Sequence, residues 1–196
     1  MAHESAAADV ALAGHRGDET TVRAGLSAPD PRVRVVALGA LARLGRLEEA
    51  DLAAAAADPD VTVRRRAAEE AGRSEVAVDV LALLRDEDGL VVEAAAWACG
   101  ERRPVPDGTI AALVELAAEH EDPLCREAAV AALGAIGDEA GLPAILAATR
   151  DKPAVRRRAV IALAPFEGVE VDEALQRALE DRDRQVRQAA EDLLEP

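Results

Sequence analysis

A phrase of about thirteen residues recurs six times along this chain, and a fixed period constrains the fold more than any other feature of a sequence. One copy reads Asp122-Pro123-Leu124-Cys125-Arg126-Glu127-Ala128-Ala129-Val130-Ala131-Ala132-Leu133-Gly134. Aligned on the Ala that follows a Val-Arg pair, the anchors are Ala37, Ala67, Ala95, Ala129, Ala159 and Ala190, spaced by 30, 28, 34, 30 and 31 residues. The preceding pairs are Val33-Arg34, Val63-Arg64, Val91-Val92, Cys125-Arg126, Val155-Arg156 and Val186-Arg187. A unit this short cannot bury its own apolar face, so stacked neighbours must complete each other's core.

The phrase is helical in design. Ala, Leu, Glu and Arg dominate it, and these are strong helix formers. Asp30, Asp58 and Asp122 each precede Pro, as an N-cap precedes a first helical residue that needs no N–H; Asp88, Asp151 and Asp183 are assigned the same task. Gly45, Gly72, Gly100 and Gly137 are expected to stop the first four of these helices. Shorter amphipathic helices fill the intervals, near 20–26, 48–57, 76–84, 109–119, 142–149 and 171–179. Half the chain is hydrophobic, yet it holds one Trp, one Phe and no Tyr. A core of Ala, Leu and Val forces backbones close together. The expected fold is all-α: a solenoid of about six helical hairpins over residues 20–196, preceded by a degenerate cap helix within residues 1–19. The final helix, ending Glu191-Asp192-Leu193-Leu194-Glu195-Pro196, has the polar side that suits a terminal cap.

With Asp58-Pro59-Asp60-Val61-Thr62-Val63-Arg64-Arg65-Arg66-Ala67 laid out, the chain resembles the HEAT-repeat superfamily, and more narrowly the short HEAT-like repeats of the phycobilin-lyase type. That resemblance implies a right-handed solenoid whose second helices line a concave side. It also implies that the recurrent Arg pairs with loop Asp residues of neighbouring repeats. The ladder would then draw on Asp30, Arg34, Asp58, Arg64, Asp122, Arg126, Asp151, Arg156, Asp183 and Arg187, as stacking elements and not as a binding site. Family members include scaffolds, lyase-like or chaperone-like accessory subunits, an iron-dependent hydroxylase and DNA glycosylases, so the likeness alone fixes no activity.

Stepping about 100° per residue from the anchor, the Val four before it and the residues three, four and seven after it fall on one stripe, the expected core. In the third repeat that stripe is Val91, Ala95, Ala98 and Cys99; in the sixth it is Val186, Ala190, Leu193 and Leu194. Positions two before and two after the anchor point the other way. Across the repeats they read Val35 and Gly39, Arg65 and Glu69, Glu93 and Trp97, Glu127 and Ala131, Arg157 and Ile161, Gln188 and Asp192. This row does not repeat in character, as a surface shaped by a partner would not. Trp97 is either a hot spot in that surface or a ring laid sideways over small neighbours. The connector Arg102-Arg103-Pro104-Val105-Pro106-Asp107-Gly108 is either part of the binding face or a spacer. The candidate partner-binding set is therefore Arg65, Glu69, Glu93, Trp97, Arg102, Arg103, Glu127, Arg157 and Ile161.

Composition excludes several functions. A net charge of −15 opposes general binding to nucleic acid or anionic membrane, and no apolar run is long enough to span a bilayer. Lys152 is the only Lys, so positive charge is carried by Arg. Cys99 and Cys125 lack metal or disulfide spacing, and no secretory leader is evident, which makes the cytoplasm the default compartment; a monomer is the expected state. The hydroxylase branch holds iron with His-Glu dipeptides directly after the Val-Arg position. Here those slots read Val35-Val36, Arg65-Arg66, Glu93-Ala94, Glu127-Ala128, Arg157-Arg158 and Gln188-Ala189. His3-Glu4 and His120-Glu121 are out of register, and His15 is isolated. No nucleophile triad or phosphate-cradling loop is present. The expectation is a non-catalytic scaffold or adaptor for a protein or peptide, with no cofactor and no metal. A lyase-like or chaperone-like accessory subunit is the alternative the resemblance allows.

Overall fold

The computed structural model describes residues 2–76 and 78–194, and for residues 2–5 the backbone only. Glu195 and Pro196, and the side chains of His3 and Glu4, lie outside the described residues. Within them there are thirteen α-helices, one 3-10 turn at Glu139–Gly141 and no strand. After α1 (Ala2–Arg16), the first helices of six hairpins are α2 (Glu19–Gly25), α4 (Glu49–Ala56), α6 (Val80–Leu83), α8 (Thr109–Glu119), α10 (Leu142–Ala148) and α12 (Val169–Leu179). Their second helices are α3 (Pro31–Leu44), α5 (Val61–Arg73), α7 (Gly89–Glu101), α9 (Pro123–Ile136), α11 (Pro153–Ala162) and α13 (Arg184–Leu194). Each hairpin packs on the next, so the chain is an α-solenoid. α1 packs on α2 and α3, where the second helix of a preceding repeat would lie.

The second helices form a continuous layer, each against the next, and the anchor alanines explain how. All six are completely buried, and a methyl group at each position lets the backbones close. α6 is a single turn, shorter than the expected 76–84, with Asp79 accepting from the amides of Leu81 and Ala82. In the sixth repeat Val186 and Ala190 are buried, but Leu194 is 42% exposed. No following repeat covers it within the described residues.

Two of the four expected helix stops are something else. Gly45 and Gly137 end α3 and α9 with left-handed φ of 65° and 71°, the conformation that favours Gly. Gly72 and Gly100 lie inside α5 and α7. A Cβ on Gly72 would sit 2.6 Å from the Trp97 ring and 2.9 Å from Ala98 Cα, and one on Gly100 would sit 3.2 Å from Ala132 Cα. These glycines set interhelix distance.

The loops hold two aspartate roles that the expected assignment merged. Asp30, Asp60, Asp88, Asp122 and Asp183 each accept from the backbone N–H two residues on, capping the second helices. Asp58, Asp86, Asp151 and Asp181 receive the arginines of the preceding repeat in bidentate pairs. Arg34 donates to Asp58 at 2.7 and 2.8 Å, Arg64 to Asp86 at 2.7 and 3.0 Å, Arg126 to Asp151 at 2.7 and 2.8 Å, and Arg156 to Asp181 at 2.8 and 2.9 Å. Asp30, Asp122 and Asp183 are thus caps and not rungs, and Asp86 and Asp181 are rungs that the expected ladder lacked. Each Arg also donates its Nη1 to carbonyls of its own loop; Arg187, in the last repeat, reaches the carbonyl of Asp181.

The ladder gives stability an acid limit. The side-chain hydrogen bond from Arg64, then Arg126 and Arg156, holds the carboxyls of Asp86, Asp151 and Asp181 below their ordinary value of 3.8. A depressed folded pKa stabilises the fold fully above the unfolded value, and that contribution is lost as pH falls through the folded value. Replacing Asp151 with Ala is expected to lower stability at pH 7 by about 2 kcal/mol, below the 3–5 kcal/mol of a fully buried pair because both groups keep some solvent contact. The loss should shrink in urea titrations as pH falls through the depressed folded pKa of Asp151. A loss that stays constant on acidification would argue against the ladder as its source.

Candidate binding groove on the second-helix layer

The middle of the expected outward row lies along a groove of about 640 Å³ that crosses α5, α7, α9 and α11. Arg65, Glu69, Glu93, Trp97 and Glu127 line it, together with five residues outside the expected set: Arg73, Leu90, Glu101, Leu124 and Arg158. Its floor is small: Gly100, Ala128, Ala131, Ala132 and Ala135. Leu90, Trp97 and Leu124 are 50%, 39% and 56% exposed, so three large apolar side chains face solvent around that floor. Leu90 and Leu124, five before their anchors, and Arg73 and Glu101, six after theirs, lie one turn beyond the positions two either side of the anchor and about 120–140° around the helix from it.

Trp97 lies sideways over a small neighbour and still lines the groove. Its edge lies over Gly72, where only a residue without Cβ leaves room, and the Arg73 guanidinium carbon stands 5.3 Å from the ring centroid. That is within the range at which a cation is drawn to an indole face. The remaining surface of the ring faces the groove.

The groove's arginines already have in-chain carboxylates. Arg65 and Arg73 reach Glu69 at 3.2 and 3.5 Å, and Arg158 reaches Glu127 at 3.5 Å. Arg157 approaches Glu127 at 3.9 Å without lining the groove, and Ile161, 41% exposed, lies beyond it.

The connector arginines are placed elsewhere. Arg102 donates to the carbonyls of Ala71 and Val76 at 2.9 and 3.2 Å. Arg103 donates to those of Gly100, Arg102 and Ala135 at 2.7–2.8 Å. Both satisfy carbonyls at helix ends, and Arg102 one in the α5–α6 loop as well, so neither Arg102 nor Arg103 belongs to the groove.

Both cysteines are buried, and burial pushes each thiol up to about 11; around Cys125 the carboxylates Asp122, Glu93 and Asp88 add to the shift. Such thiols stay protonated at neutral pH and make poor nucleophiles. Among the described residues, no group of three or more His, Cys, Asp or Glu side chains is placed to hold a metal ion. No helix there is long and apolar enough to cross a membrane.

A profile of HEAT repeats matches residues 50–129, 77–164 and 110–195, overlapping stretches that together run from 50 to 195, or 146 of 196 residues. The chain belongs to the HEAT-repeat family. The match is to HEAT repeats at large and does not single out the phycobilin-lyase type. No curated protein sequence matches the chain significantly. Among solved structures, this HEAT-repeat chain is similar to a designed armadillo repeat protein in complex with the peptide (KR)4, with a TM-score of 0.68 and 18% identity over 90% of this chain and 98% of that one. It is also similar to an engineered protein, with a TM-score of 0.66 and 24% identity over 91% and 97% of the two chains. Human deoxyhypusine hydroxylase, in complex with glycerol, aligns at a TM-score of 0.50 and 22% identity over 98% and 77%. At such identities the likeness is one of fold alone.

Proposed function

We propose that this HEAT-repeat protein is a non-catalytic scaffold or adaptor that holds a protein segment or peptide in the α5–α11 groove. The observation that carries the reading is the set of exposed Leu90, Trp97 and Leu124 around a floor of Ala and Gly. Aromatic and aliphatic anchors beside small residues give a partner's side chains pockets to fill, and a Trp there tends to carry much of the binding energy. The designed armadillo relative, whose complex contains a peptide, supports the same use of a helical-repeat surface. Action as a monomer in the cytoplasm is part of this reading, as is the absence of an enzymatic step.

Trp97 is the only Trp, so its fluorescence reports directly on the groove. Peptides selected from a displayed random dodecapeptide library on the wild-type chain should perturb that fluorescence. Their binding should weaken by about 30-fold in Trp97→Ala, the equivalent of 2 kcal/mol at a hot spot, and should be blocked by Ala131→Arg. Selected peptides that bind both variants as tightly as wild type would refute the groove as the binding site.

A further inference from the structure

The charges around Trp97 differ in one respect. Arg65, Arg73 and Arg158 each have a carboxylate within the chain, and the carboxylates of Glu69 and Glu127 are engaged by them. Glu93 and Glu101 line the same groove, are exposed, and have no ion pair or hydrogen bond to a side chain among the described residues. They stand four residues before and four after Trp97. A segment running along α7 therefore meets a carboxylate, an indole and a carboxylate at intervals of about 6 Å. The in-chain stacking of Arg73 at 5.3 Å from the ring centroid shows that this indole accepts a guanidinium in this setting.

From this we infer that the groove selects a segment bearing an Arg or Lys side chain flanked by apolar residues. The inference rests on the proposed peptide-binding reading and adds the partner's chemistry to it. The cation lies against Trp97 with its charge towards Glu93 or Glu101, and the flanking side chains cover Leu90, Leu124 and the Ala floor. An anionic segment is disfavoured, since the groove's arginines already face carboxylates while Glu93 and Glu101 would repel it. The chain's net charge of −15 adds a long-range attraction for cationic segments and raises their rate of encounter.

The test uses the full chain and the same displayed dodecapeptides, selected on wild type and on Glu93→Gln/Glu101→Gln, with circular dichroism to establish that the double variant is folded. Wild type should enrich Arg or Lys beside apolar residues, and the double variant should still bind peptides without that preference. For a peptide taken from the wild-type selection, replacing its Arg by citrulline should weaken binding about tenfold on wild type and less than about twofold on the double variant, the non-additivity expected of groups in contact. Peptides that bind the groove in a Trp97-dependent manner but show no preference for cations, or an equal preference on both proteins, would overturn the inference and leave the groove intact as a binding site. Failure to select any peptide sensitive to Trp97→Ala or Ala131→Arg would overturn the peptide-binding reading and the inference together.

Discussion

Gly134→Ala is expected to destabilise the protein by about 2–3 kcal/mol, as for an overpacked core, even after the gain of about 1 kcal/mol that Ala brings to a helix interior. The added Cβ would lie 2.6 Å from Ala162 Cβ, 2.7 Å from Ala162 Cα and 3.0 Å from the Ala162 carbonyl oxygen. The obstacle is thus the backbone of α11, which cannot rotate away. α9 and α11 would have to separate along an interface whose anchors, Ala129 and Ala159, have no solvent exposure at all. Gly39 provides the contrast, because what a Cβ there would meet is the guanidinium end of Arg66, a flexible side chain that can shift at the expense of its 2.7 Å ion pair with Glu70 and not of a helix backbone. Gly45→Ala should show a third behaviour, a cost of about 1 kcal/mol from its left-handed φ alone, since nothing lies within 4 Å of the added atom. Denaturant midpoints of the three variants should rank Gly134→Ala as the most damaging. A Gly134→Ala protein as stable as wild type would show that the two helices are not held at the distance described.

The sequence made the period, the hairpins and the buried face legible because each depends on local pattern: helix formers between caps, and Ala at a fixed angle. What stayed hidden depends on a neighbouring repeat. Gly72 and Gly45 look alike near the end of a helical phrase, and only Trp97, lying across Gly72 from the next helix, separates a spacing residue from a stop. Asp58-Pro59-Asp60 offers two carboxylates, and spacing along the chain cannot say which one caps. Asp60 does so because its side chain reaches the Thr62 amide, while Asp58 meets Arg34 from another repeat. Arg102 and Arg103 read as free charges in a Pro-rich connector, yet they meet helix-end carbonyls up to 32 residues away in sequence. In the groove, angle alone identified the row of Arg65, Glu69, Glu93, Trp97 and Glu127. That Glu69 and Glu127 are paired while Glu93 and Glu101 are not is a matter of tertiary placement.

The ladder's one interruption makes the second large prediction. Position 92 holds Val where five other repeats hold Arg, and His120 stands two residues before the capping Asp, where three of the four receiving aspartates, Asp58, Asp86 and Asp181, stand. His120 keeps half of that Asp's work. Its Nδ1 accepts from the Asp122 amide at 3.1 Å, as Asp58, Asp86 and Asp181 accept from Asp60, Asp88 and Asp183 at 2.8–3.0 Å. It cannot also receive a guanidinium in a bidentate pair. Val92 is buried, so Val92→Arg alone places a charge among apolar neighbours without a carboxylate and should destabilise by about 3 kcal/mol, as an unpaired buried charge does. His120→Asp alone should cost less, since the carboxylate can still accept from the Asp122 amide and turn to water. Together the two changes rebuild a rung, with the carbonyls of residues 86 and 87 placed to take Nη1 as the equivalent carbonyls do for Arg34 and Arg64. A double-mutant cycle by urea denaturation at pH 7 should therefore give a favourable coupling of about 1–3 kcal/mol, the span seen for contacting residues. The coupling should also fade as pH falls below the ordinary carboxylate range, because a paired Asp gives its stabilisation only while ionised. A coupling near zero, or one indifferent to acid, would mean that positions 92 and 120 do not face each other as the ladder pairs do.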